Sequence, residues 1–129
     1  MTKEIKTAKR FQMKSEDLLR KADNVIERRK SNELSREESE SQMNEIYSIS
    51  QKLWNEAHSL KMQLPWNKQK RLHEILSDSM RNTSIISDYQ KSLWYYNAQC
   101  IVDEVINKYG SIEEAVNQGY IFNEHNRNN

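Results

Sequence analysis

A chain of 129 residues is the size of one ordinary domain, long enough to bury a core and too short for two catalytic domains. Two glycines and one proline are far fewer turn residues than a β-sandwich, a barrel or a doubly wound sheet needs, which leaves an all-α fold. The net charge of +1 argues against a dedicated nucleic-acid binder, and three Trp and six Tyr argue for a packed chain above the disordered class.

The expected architecture is a single helical domain over 1–129: a bundle of about four main helices plus a short C-terminal one, with elongated, coiled-coil-like packing as one form. Residues 3–30 carry Ile5, Ala8, Phe11, Leu18, Ala22 and Val25 at helical spacing and predict an amphipathic helix. The stretch KSNELSREESE has Leu34 as its one apolar residue, so 31–40 is read as a polar linker. Within it, Ser35 and Glu38 have the spacing of a capping box, in which a hydroxyl and a carboxylate each satisfy one orphan backbone donor.

The clearest periodicity runs over 41–64, through Met43, Ile46, Tyr47, Ser50, Leu53, Trp54, Ala57, Leu60 and Leu64. With Tyr47 and Trp54 the stripe occupies about three positions in seven, the width of a bundle helix rather than a two-stranded seam. Pro65 disfavours helical geometry at Leu64 and ends it. A shorter helix follows over 66–81. Asn82, Thr83 and Ser84 then read as a polar break before a central helix over 85–109, whose start shifts slightly if Ser87 and Gln90 form its capping box. Gly110 suits the left-handed position after a helix, Ser111 and Glu114 cap a short helix over 111–118, and 119–129 reads as a frayed tail.

Most catalytic chemistries find no foothold. His58, His73 and His125 lack metal-ligand spacing, and His73-Glu74-Ile75-Leu76-Ser77 has Ser where a zinc protease needs its second His. His73 and His58 are read as ordinary, partly exposed helix residues. Cys100 lies in the most apolar segment and is expected to pack in the core as an inert thiol. Neither glycine belongs to a phosphate-binding loop. Adjacent carboxylates at Asp103-Glu104 and Glu113-Glu114 point about 100° apart on a helix and share no site. No catalytic residue, metal or cofactor is therefore expected, and no small-molecule substrate.

Charge is segregated along the chain. Residues 1–30 carry 10 basic and 5 acidic groups, 31–60 carry 2 and 6, 61–91 carry 6 and 3, and 92–129 carry 2 and 5. Lys3, Lys6, Arg10 and Lys14 recur at steps of three and four along one side of the first helix. Arg28, Arg29 and Lys30 form a second cluster, and Lys68, Lys70 and Arg71 a third, just after Trp66. Such patches neutralise phosphates while an aromatic ring stacks on a base, although neighbouring helices that pair their charges would produce the same pattern.

Trp94, Tyr95 and Tyr96 are consecutive, and at about 100° per residue they fan over about 200° of a helix. One core cannot enclose all three, so at least one ring meets a second surface unless Trp94 packs inside and the tyrosines lie half-exposed. Trp and Tyr supply much of the binding energy at protein interfaces, and Trp66 at an interhelix corner is a further candidate. The expected function is therefore that of a non-catalytic regulator or adaptor engaging a protein partner, or a second copy of itself, through Trp94, Tyr95, Tyr96 and Trp66. A homo-oligomer is expected. The alternative is nucleic-acid binding through Lys3, Lys6, Arg10, Lys14, Lys68, Lys70 and Arg71.

No apolar run approaches the length of a membrane span and the first residues lack the apolar stretch of a signal peptide. One cysteine fits a reducing compartment, so a cytoplasmic setting without membrane contact is expected. Phe, Tyr, Met, Ile, Asn and Lys total 49 residues against 16 for Gly, Ala, Arg and Pro, the bias of AT-rich codons. That bias suits a bacterium of low G+C content or its phages and plasmids, and a modulator of a host machine encoded there.

Overall fold

The computed structural model of the protein describes residues 3–65 and 69–121, and among them every regular element is helical. Four helices follow in chain order: α1 (Lys3–Lys30), α2 (Arg36–Met62), α3 (Lys70–Tyr109) and α4 (Ile112–Asn117). The three long helices pack on one another as an all-α bundle, and α4 packs on the last turns of α3. Among the described residues there are thus three main helices and a short one, rather than four and a short one.

Each long helix buries a seam. In α1 it is Ala8, Ser15, Leu18, Ala22 and Val25, and in α2 Ser39, Met43, Ile46, Ser50, Leu53 and Ala57. Steps of three and four make this the two-in-seven seam of a coiled coil, narrower than the stripe expected, because Tyr47 and Trp54 stand half-buried on its flank. Many seam positions are small, which lets the backbones approach closely. The hydroxyls of Ser15, Ser39 and Ser50 each bond back to their own helix at 2.8 Å, donating to the carbonyls of Gln12, Arg36 and Tyr47. Buried serine therefore carries no unsatisfied donor.

Polar rungs set the register. Asn82 Nδ2 donates to Ser15 Oγ at 3.0 Å and Arg29 Nε donates to Asn97 Oδ1 at 2.8 Å, so α1 and α3 run parallel at an offset of 67 to 68 residues. Gln90 Nε2 donates to Asn44 Oδ1 at 2.9 Å and Asn97 Nδ2 to Ser39 Oγ at 3.3 Å, which makes α2 antiparallel to α3. By this register the last three turns of α3, about 16 Å at about 1.5 Å per residue, overrun the hairpin of α1 and α2. There Ile101 and Val105 are covered by Ala115 of α4, with Tyr109 and Tyr120 beside them.

The break expected at Asn82, Thr83 and Ser84 does not occur: α3 is continuous across it. Each polar side chain is used without disturbing the helix. Thr83 Oγ1 and Ser84 Oγ donate to the carbonyl of Met80, at 2.7 and 3.1 Å, and Asn82 reaches across to α1. Nor do Ser87 and Gln90 cap anything, since Gln90 is spent on Asn44. The polar linker is also shorter than 31–40. Ser35 is the N-cap of α2, so residues 36–40 are helical. Asn32 takes a left-handed φ of 67°, a conformation asparagine tolerates, and Leu34 turns inward to join the core. Gly110, at φ 90°, closes α3 as expected. Tyr120, assigned to the tail, instead packs on Tyr109 with ring centroids 5.9 Å apart; the rest of that tail, 122–129, lies outside the described residues.

The capping box at Ser35 is complete: Glu38 N donates to Ser35 Oγ at 3.1 Å and Ser35 N donates to Glu38 Oε1 at 3.0 Å. Accepting the Ser35 backbone N–H, and then its hydroxyl, holds the Glu38 carboxyl below the usual glutamate range. A depressed carboxylate stabilises the fold above its unfolded value, about 4.3, and that contribution fades as the pH falls through the lower folded value. Ser35→Ala is expected to cost about 1 kcal/mol at neutral pH and to flatten the loss of stability in acid, as measured by urea unfolding across that range.

Candidate functional site

Residues 93–97 divide as helical geometry requires. Leu93 and Asn97 face the core, 3% and 0% exposed, and the three aromatics take the remaining directions. Tyr95 points away from the bundle and is 67% exposed, while Trp94 is 41% exposed. Their rings meet edge to face, centroids 5.1 Å apart at 86°, a favoured aromatic geometry. Trp94 is thus no core residue. Tyr96 occupies the opposite flank, half-buried beneath two cations: the Arg29 guanidinium and the Lys30 ammonium lie 5.6 and 5.7 Å from its ring centroid. That tyrosine belongs to the internal structure more than to an open face.

On the Trp94 side, α2 and α3 leave a cleft of about 530 Å³. Its floor is Met43 and Leu93, both buried. Glu40 and Asn44 of α2 form one wall, Trp94 and Tyr95 of α3 the other, and the Gln90–Asn44 hydrogen bond joins them. Glu40 is half-buried, and its Oε1 oxygen is withheld from water with no hydrogen-bond partner among the described residues. Behind the cleft the bundle is braced by a buried chain of hydrogen bonds, from Arg29 through Asn97 to Ser39 and the Arg36 carbonyl. The arrangement is a two-helix surface with exposed aromatics beside a carboxylate, and it offers contacts for binding.

The basic positions fall into two groups. Lys3, Lys6, Arg10 and Lys14 are exposed along α1, and the register brings Lys70 and Arg71, also exposed, level with Lys3 at one end of the bundle. Arg71 lies 3.9 Å from Glu74. The cluster at 28–30, by contrast, is used internally: Arg28 pairs with Glu33 at 3.3 Å, Arg29 holds Asn97, and Lys30 covers Tyr96. Trp66 and Lys68 lie outside the described residues.

Two expectations about single residues are corrected. His73 is 6% exposed rather than partly exposed, because its Nε2 reaches the Leu64 carbonyl at 3.0 Å. A carbonyl only accepts, so Nε2 carries the proton, and the ring ties the segment just after α2 to the start of α3. Cys100 is half-buried rather than in the core, since in that overhanging part of α3 the inward positions are Ile101 and Val105. His58, on α2, stacks on Trp54 at 4.7 Å.

Sequence reasoning reached Trp94 and Tyr95 through their adjacency, but it missed Glu40, Asn44 and Gln90. Glu40 lay in the assigned linker, and the other two acquire meaning only from the pairing of α2 with α3. The one available signal was Asn97, a polar residue at a core position of an apolar helix, which demands a partner on a neighbouring helix. No protein-family model, curated protein or solved structure matches this chain.

Proposed function

We propose that the chain is a non-catalytic helical binding protein, a regulator or adaptor, that engages a protein partner through the α2–α3 face bearing Trp94 and Tyr95. The observation that carries this reading is the pairing of two large exposed aromatics, already set edge to face, with an open cleft on a braced helical surface. Aromatic anchors beside a pocket are the usual source of affinity at protein interfaces, and little ordering entropy is lost when they are held before binding. Self-association through the same face belongs to this reading, as does a reducing, cytoplasmic setting, which the lone Cys100 supports. The AT-rich bias supports a bacterial, phage or plasmid origin.

A second reading, nucleic-acid binding at the α1 and α3 N-terminal end, is favoured by the line of exposed cations from Lys3 to Lys14. None of those four enters an ion pair among the described residues. The two readings separate in size-exclusion chromatography with light scattering, run with and without a mixed pool of DNA and RNA oligonucleotides. The protein-binding reading predicts no oligonucleotide shift at moderate salt and no effect of Lys70→Glu with Arg71→Glu. A shift that weakens steeply with salt and disappears in that double variant supports nucleic acid instead.

A further inference from the structure

The charges segregated along the chain gather at opposite ends of the bundle. At the first end, Thr7 and Phe11 of α1 and Leu60 and Gln63 of α2 line an open groove of about 450 Å³, floored by the half-buried Phe11 and Leu60. Lys3, Thr7, Arg10 and Lys14 follow one another at steps of three and four, so three exposed cations share the α1 rim with Thr7. Lys52, Glu56, Ser59 and Gln63 form the α2 rim at the same spacing, with one cation and one acid. The two rims sum to +3, and none of their charges enters an ion pair among the described residues. Residues 3–14 as a whole carry five basic groups and one acid, Glu4.

At the other end, α4 and the overhanging last turns of α3 form a knob. Its core is Ile101, Val105 and Ala115, yet Ile106, Ile112 and Val116 are left 39%, 36% and 54% exposed. Asp103 stands three residues before Ile106 and Glu113 three before Val116, so both aliphatics have a carboxylate as neighbour on the helix. Residues 98–121 carry four acids and one base, Lys108, a net charge of −3. Only neutral amides are bonded to these acids, Gln99 donating to Asp103 at 3.0 Å and Gln118 to Glu114 at 2.8 Å, while Lys108 lies over the Tyr109 ring. We propose that the α1–α2 groove docks the α3–α4 knob of a second copy of this chain. Ile112 and Val116 are one helical turn apart, as are Thr7 and Phe11, so an apolar ridge meets an apolar floor and carboxylates meet the cationic rim. A knob cannot reach its own groove. α1 and α3 run parallel at an offset of 67 residues, which sets Phe11 level with the early part of α3 and about 40 Å from Ile106 at about 1.5 Å per residue. Two copies set antiparallel place each knob at the other's groove and close a twofold dimer. The contact is separate from the Trp94 and Tyr95 face and does not depend on it.

Sedimentation velocity on the full chain at low and moderate salt is the test. The native chain is expected to form a dimer that salt weakens. Lys3→Glu with Arg10→Glu and Lys14→Glu makes groove and knob both acidic, and Asp103→Lys with Glu113→Lys makes both basic, so each variant alone should dimerise at least about tenfold more weakly. An equimolar mixture of the two variants restores opposite signs at both contacts and should recover a heterodimer close to native affinity, which an unfolded variant could not do. Val116→Ser should weaken the native dimer at both salt concentrations. A chain that stays monomeric, a dimer that either charge-reversed variant forms as well as the native chain, or a mixture that yields no heterodimer would each overturn the proposal. So would a dimer that Trp94→Ala with Tyr95→Ala dissociates and neither charge reversal affects, or a monomer whose α1 cations take up the oligonucleotide pool instead.

Discussion

Thr83→Pro is expected to destabilise the protein by at least about 3 kcal/mol, the cost of a proline inside a helix, where it removes one backbone hydrogen bond and collides with the preceding turn. Thr83 is the buried residue at the centre of the polar run Asn82-Thr83-Ser84, 1% exposed, and its hydroxyl bond to the Met80 carbonyl would be lost as well. Were this run a loop between two helices, a proline there would be tolerated. Urea unfolding followed by circular dichroism distinguishes the cases. Because a domain of this kind is stable by only about 5–15 kcal/mol, the loss is a large share of the total. Thr83→Ala, which keeps the backbone bond, should cost much less.

The second large effect concerns binding. Trp94→Ala combined with Tyr95→Ala should weaken the complex with the protein partner by at least about 30-fold, since a single interface hot spot is worth about 2 kcal/mol or more. Stability should change little, because both side chains stand outside the core and alanine is the better helix former. The variant's thermal unfolding and its affinity for the captured partner, measured on one preparation, check both halves. An unchanged affinity would move the interface elsewhere; a collapsed fold would show that the rings are structural.

How far the sequence foretells this molecule differs from element to element. That α1 runs as one helix as far as Lys30 is legible, since its apolar seam continues unbroken to Val25 and polar residues follow it. The capping box at Ser35 and Glu38 and the closing Gly110 are legible for the same reason: their chemistry is local. The continuity of α3 is not, because Asn, Thr and Ser in a row have the composition of a loop, and what keeps them helical is tertiary: the Ser15 hydroxyl across the bundle and the seam that buries Thr83. His73 follows the same rule, for its partner is a carbonyl nine residues away in sequence that only the turn between α2 and α3 brings near. Of the candidate site, the aromatic half is visible as three adjacent rings. The Glu40 half depends on the antiparallel register of α2 against α3, which no pattern within either helix encodes.

The most direct test of the protein-binding face is photo-crosslinking in the native host. p-Benzoylphenylalanine is placed at Tyr95 and, as a control, at Met13, which is 70% exposed on α1. A discrete adduct is expected from position 95 that resists nuclease, yields to protease and is absent from position 13. No adduct from 95, the same adducts from both positions, or one that nuclease removes would contradict it.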